Sequence, residues 1–149
     1  MVKKYYLSIG SNIEPEKNIP ACLTLLKARY PSILFSQVYE TDPIGPAGTA
    51  KFWNLAAVIA TDDKAEGLRE KLREIESQLG RVRSPHNRFL ARVIDIDILP
   101  QPSYETQAFI MIPLAEIAPL SRDETTGKTF ADLAEGLRSS ASGFKKKLT

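Results

Sequence analysis

Asp95 and Asp97 stand two residues apart in the run 92–99, RVIDIDIL, among β-branched aliphatic residues. The alternation of that run has the period of a strand. Aspartate is among the poorest strand formers, so two of them there call for a chemical reason. Residues i and i+2 of a strand share a face, about 6.5–7 Å apart. The two carboxylates therefore converge on one side, while Ile94, Ile96 and Ile98 face the other. Hard oxygen ligands so placed suit a pair of divalent cations about 3.5–4 Å apart, as in two-metal phosphoryl transfer. The plainer alternative is a solvated sheet face on which both aspartates pair with arginines.

The stretch 81–92, RVRSPHNRFLAR, carries Arg81, Arg83, Arg88 and Arg92 together with the chain's one histidine, His86. A guanidinium fork grips phosphate oxygens in pairs. A loop of arginines leading into two carboxylates thus has the parts for transfer between phosphorylated species. The same residues read more plainly as a basic loop pairing with Glu74, Glu76 and Asp95, and His86 alone discriminates nothing. A further constellation, Phe52-Trp53-Asn54, follows a loop rich in proline and glycine at 41–48. Phe52 and Asn54 share a face by period two, setting a ring for stacking beside an amide that both donates and accepts. That suits a flat heterocycle with a hydrogen-bonding edge, although aromatic residues at a strand start are also common core residues. No G-x-x-x-x-G-K-[ST] loop, G-x-G-x-x-G turn or cysteine cluster occurs, which excludes the common nucleotide cradles and zinc sites.

Positioning these groups falls to 149 residues, 43% hydrophobic and 26% charged, the composition of a soluble globular protein and a length for one domain, 1–149. The net charge of +2 is too small to imply a polyanionic partner, and no apolar run is long enough for a leader or a membrane span. We therefore expect a cytoplasmic monomer acting on small molecules, with neither nucleic acid nor membrane as partner. Cys22 is the only cysteine, which excludes an intrachain disulfide, and its apolar helical setting marks it as core. Strands are expected at 5–9, 33–39, 52–61, across the two aspartates and at 108–112, with Gly10-Ser11-Asn12 as the turn after the first. A helix at 15–29 starts on Pro15 and contains Pro20, which kinks it or delays its start. A second helix, at 64–79, is capped by Asp62 or Asp63, buries Leu68, Leu72, Ile75 and Leu79, and stops at Gly80. A helical turn at 113–119, an amphipathic helix at 130–137 and a frayed tail from 144 complete the chain. The order β-α-β-β-α-β predicts an α+β fold, a ferredoxin-like sandwich with an antiparallel sheet and a C-terminal extension.

Taken together, LSIGSN at 7–12, Y-x-T-x-P-x-G at 39–45, F-x-N at 52–54, Ile75-Glu76 with GRVR at 80–83, R-x-x-D-x-D at 92–97, and Phe109 with PLAEIAP at 113–119 resemble the 6-hydroxymethyl-7,8-dihydropterin pyrophosphokinase family. The pieces occur in family order. The resemblance implies transfer of pyrophosphate from ATP to a pterin alcohol in folate biosynthesis, the hydroxymethyl oxygen attacking the β-phosphorus and AMP leaving. It implies that Asp95 and Asp97 ligate two Mg²⁺ ions bridging the ATP phosphates. Arg81, Arg83 and Arg92 would face phosphates, Arg83 and Ile98 would contact ATP, and Glu76 would support the site from the preceding helix. Phe52 and Phe109 would sandwich the pterin ring, Asn54 would read its edge, and backbone groups around Thr41 to Ile44 would complete the pocket.

The chain also departs from the family pattern. The connection 100–107 is shorter and lacks the family's Val-Pro-His segment and following arginine, which resemble ATP contacts. Leu90 stands where a glycine is usual, and the basic loop is one residue longer. Two further hypotheses therefore accompany an active pyrophosphokinase: a pterin-binding relative with weak or altered transfer, and a ferredoxin-like RNA-binding module. Retention of both aspartates favours activity, because buried carboxylates without a cation are costly. The low charge and the lack of an RNP-type aromatic pair speak against RNA.

Overall fold

A computed structural model describes residues 1–41, 52–80, 93–141 and 143–147, with six strands and four α-helices among them. The central strand β1 (Lys3–Ser11) sends Leu7 and Ile9 to one face and Ser8 and Gly10 to the other. It pairs antiparallel with β4 (Phe52–Thr61), where Gly10 opposes Asn54. Its other neighbour is β5 (Asp95–Ile98), where Gly10 opposes Asp95 and Ser8 opposes Asp97. Beyond β4 run β2 (Leu34–Phe35) and β3 (Val38–Thr41), and β6 (Lys145–Lys147) pairs with β3. The order is β5-β1-β4-β3-β6, with β2 beside β4.

Helices cover both faces, each by its apolar stripe. On one, α1 (Pro15–Arg29) and α2 (Ala65–Gln78) bury Ile19, Cys22, Leu26, Leu68, Leu72 and Ile75 against Leu7, Ile9, Leu55 and Ile96. On the other, α3 (Ala108–Ile117) and α4 (Phe130–Gly136) bury Ile110, Met111, Leu114 and Phe130 around Ala56 and Leu99. The polar face of β1 and the aspartates of β5 lie on this second side.

Several expectations are corrected. The first strand runs on through Gly10 to Ser11, so Gly10 lies inside a strand and does not open a turn. Residues 108–112, read as a strand, form the first half of α3, where Ile110, Met111 and Leu114 fall at helical spacing against the core. A short apolar run does not separate strand from helix by periodicity, and tertiary packing decided it. Pro20 sits within an uninterrupted α1. The N-cap of α2 is Lys64, with no side-chain cap bond. Asp63 instead accepts hydrogen bonds from Lys71 Nζ and Tyr30 Oη, both at 2.9 Å, which hold its carboxyl below the usual range and tie α2 to the end of α1. The tail is not frayed at Lys145–Lys147, which add to the sheet edge; Lys147 Nζ lies 3.1 Å from Glu40 and 5.9 Å from the Trp53 ring centre.

The expected strand 33–39 is broken into β2 and β3, and the break aims the site. Phe35 opposes Ala57 but Tyr39 opposes Asn54, so residues 36–38 face only 55–56. One extra residue in one strand is a β-bulge. Ser36 stabilises it, its N–H donating to the Ala56 carbonyl and its Oγ accepting from the Ala56 N–H, both at 2.9 Å. Without the bulge, period two would put Tyr39 and Thr41 on the Phe35 side, against α1 and α2. With it they turn to the side of α3.

Candidate active site

The face under α3 carries a row of directly opposed residues across four strands: Tyr39 on β3, Asn54 on β4, Gly10 on β1 and Asp95 on β5. The next rows add Thr41 opposite Phe52, and Ser8 opposite Asp97. Phe52, Asn54 and Thr41 are all buried. Asn54 Nδ2 donates to Thr41 Oγ1 at 2.6 Å, which fixes the amide plane. Phe52 is buried at the start of β4, on the same face as Asn54. The sequence pairing of Phe52 with Asn54 thus holds, and the bulge brings Thr41 to them.

Asp95 and Asp97 share this face and hydrogen-bond each other. The Asp97 carboxyl is pushed up to about 7, first by burial, then by the charge of Asp95, the hydrogen bond with it and the charge of Glu76, against a lowering contact from Gln101. The Asp97 carboxyl thus holds its proton more tightly than an ordinary carboxylate does. Glu76, 2% exposed on α2, accepts the Ile96 N–H at 2.8 Å through Oε2, bonding the edge-strand backbone midway between the two aspartates. Ser11 Oγ donates to the Val93 carbonyl at 2.5 Å and anchors the chain as it enters β5. Among the described residues no group of three or more His, Cys, Asp or Glu forms a metal cage.

Phe109 lies in the first turn of α3, half-buried at the edge of the second apolar cluster. Glu116, on the same helix, accepts from the Tyr39 hydroxyl and, at 2.8 Å, from the Gln37 N–H. The helix bearing Phe109 is thereby clamped to the bulge that turns Thr41 inward. Ile98 points away from the carboxylates and lines, with Asp97, Gln101, Arg69 and Arg73, a cleft of about 310 Å³ at the open edge of β5. Arg69 and Arg73 escaped the sequence reading because exposed arginines on a helix are commonplace. Cys22 is fully buried, its thiol pushed up to about 12 chiefly by burial, so it is no nucleophile. Arg81, Arg83, Arg92, His86 and Ile44 lie outside the described residues.

The fold is shared with solved structures of HPPK-DHPS proteins. One, in complex with substrates, superposes with a TM-score of 0.73 at 13% identity over 96% of this chain and 45% of the solved one. The Plasmodium falciparum HPPK-DHPS gives 0.75 at 12% over 96% and 47%. The chain thus spans about half of those longer chains.

Residues 6–119 match the model of the 7,8-dihydro-6-hydroxymethylpterin-pyrophosphokinase family, and the chain belongs to that family. The 2-amino-4-hydroxy-6-hydroxymethyldihydropteridine pyrophosphokinase of Pseudomonas aeruginosa is 33% identical over 137 residues, covering 80% of this chain and 83% of the relative. That of Methylorubrum extorquens is 37% identical over 131 residues, covering 76% and 82%.

Proposed function

We propose that the chain transfers the pyrophosphoryl group of ATP to 6-hydroxymethyl-7,8-dihydropterin in folate biosynthesis. The observation that carries this reading is the row Asn54, Gly10, Asp95, which sets the ring-reading amide and the acid pair on one sheet face, two strand spacings or about 10 Å apart. A two-ring heterocycle with a hydroxymethyl arm is of that length. Phe52 and Phe109 take the ring, Asn54 its edge, and Thr41 holds the amide. The cleft beside Asp97 and Ile98 is of a size for the nucleoside end of ATP. Arg81, Arg83 and Arg92 are assigned to phosphates, and Ile44 to the pocket wall, on the resemblance alone.

Two adjacent carboxylates on one strand face, with no group of three or more His, Cys, Asp or Glu among the described residues, fit a hard cation held mainly by phosphate oxygens and water. Asp95 and Asp97 would hold two magnesium ions, which supply positive charge to the phosphate oxygens. The protein's own part is positioning. Asn54 and the aromatic rings orient the pterin so that its hydroxymethyl oxygen bonds to the β-phosphorus. The bond from that phosphorus to the oxygen bridging the α-phosphorus breaks, AMP leaves with that oxygen, and the hydroxyl proton passes to solvent.

The antiparallel order β5-β1-β4-β3, with α1 and α2 on one face, supports reading the chain as one ferredoxin-like domain extended by α3, α4 and β6. We read it as a cytoplasmic monomer acting on small molecules. Pterin-dependent release of AMP from ATP and Mg²⁺ is the expected activity. Asp95→Ala and Asp97→Ala each lower it by about 10²-fold or more. Undiminished release in both variants would overturn the assignment of the acid pair.

A further inference from the structure

Gly10 occupies the middle of the proposed site, flanked by Asn54 on one neighbouring strand and Asp95 on the other. Glycine inside a strand weakens it and marks a close approach of some other group. No backbone requirement explains it, because among the described residues the glycines with positive φ are Gly80 and Gly127, and Gly10 is not one of them. Space does explain it. A Cβ on Gly10 would lie 2.6 Å from Asn54 Oδ1, with only ordinary contacts, at 3.7 Å, to Asn54 Cγ and the Trp53 carbonyl.

The amide that fills this space is pinned at its other end, where Nδ2 donates to the buried Thr41 Oγ1 at 2.6 Å. Asn54 thus straddles the sheet with its donor end toward β3 and its acceptor oxygen over β1. The bond to Thr41 sets that polarity, and the amide has room to adopt it because residue 10 has no side chain. We propose that Gly10 is a specificity-determining positioning residue. By leaving room for the Asn54 amide, it lets Asn54 keep its bond to Thr41 and hold its oxygen over β1, where it faces a ligand edge with a donor on that side.

The clash in Gly10→Ala falls on the tip of one side chain and on no backbone atom within close range. The fold therefore tolerates the methyl group while the amide does not keep its place. This inference rests on the pterin reading of the site, and its test separates the two. The dissociation constants of 6-hydroxymethyl-7,8-dihydropterin and of Mg-ATP, and the thermal midpoint, are measured for the full chain and for Gly10→Ala, Asn54→Ala and the double variant. We expect Gly10→Ala to weaken pterin binding about tenfold, as for one oriented hydrogen bond, with ATP binding and the midpoint little changed. In the Asn54→Ala background the same substitution changes pterin binding by less than about twofold. Pterin binding unaffected by Gly10→Ala, effects of the two substitutions that multiply, or equal losses for both ligands would each overturn the role of Gly10. A wild-type chain that binds no pterin would instead overturn the functional reading on which it stands.

Discussion

At the scale of single residues, the acid pair was legible because aspartate contradicts the strand around it, and a local contradiction in a sequence marks a site or a strain. The raised Asp97 carboxyl gives that pair a pH signature. Folded, Asp97 keeps its proton up to about pH 7; unfolded, it loses it near the ordinary carboxylate value of 3.8. Between these values the folded state binds the extra proton, so this group's contribution to stability falls as pH rises through the window. Thermal midpoints of the cation-free protein should show that decline, and Asp97→Asn should flatten it. If the pair holds a divalent cation as proposed, the cation displaces the proton, and Mg²⁺ should raise the midpoint more above pH 7 than below it. Glu76 bears on the same strand. Glu76→Ala leaves the Ile96 N–H without its carboxylate acceptor and should cost about 1–3 kcal/mol in urea unfolding, whereas Glu76→Gln keeps an acceptor and should cost less. Gly10 was misread as a turn because Gly-Ser-Asn has turn composition; its meaning depends on Asn54, 44 residues along the sequence, and only pairing reveals it.

The elements were legible where they have one strong period. The strand at 52–61 and the helix at 15–29 fall where periodicity places them. The bulge at 36–38 was not legible, because a single inserted residue leaves hydrophobic composition unchanged while moving Tyr39 and Thr41 to the opposite face. Its stability depends on Ser36, which is buried and whose Oγ is the acceptor for the Ala56 N–H. Ser36→Ala should cost about 1–3 kcal/mol in urea unfolding. It should also weaken pterin binding through Thr41 while leaving ATP binding near the wild-type value. The helix at 108–117 was hidden by β-branched residues in its first half, which the burial of Ile110, Met111 and Leu114 overrode.

For the whole molecule, the sheet ends in two different ways. Among the described residues no strand pairs with the outer edge of β5, where Asp97 lies beside a cleft, and β6 covers β3 at the other end. A polar tail of three lysines carries no strand signal, because what makes it a strand is the partner edge. Removing the chain from residue 145 onward should expose the β3 edge. The amides of Val38–Thr41 should then exchange with deuterium faster, with little change in β1 or β4. In the proposed reading, the pocket at Asn54 and the acid pair at Asp95 and Asp97 serve one transfer. It is tested most directly by ³¹P NMR of the purified chain with ATP, Mg²⁺ and 6-hydroxymethyl-7,8-dihydropterin. AMP and a pterin carrying two linked phosphorus atoms are expected, formed together and both abolished in Asp95→Ala. ADP with a singly phosphorylated pterin, or no turnover by a protein that binds both substrates, would contradict it.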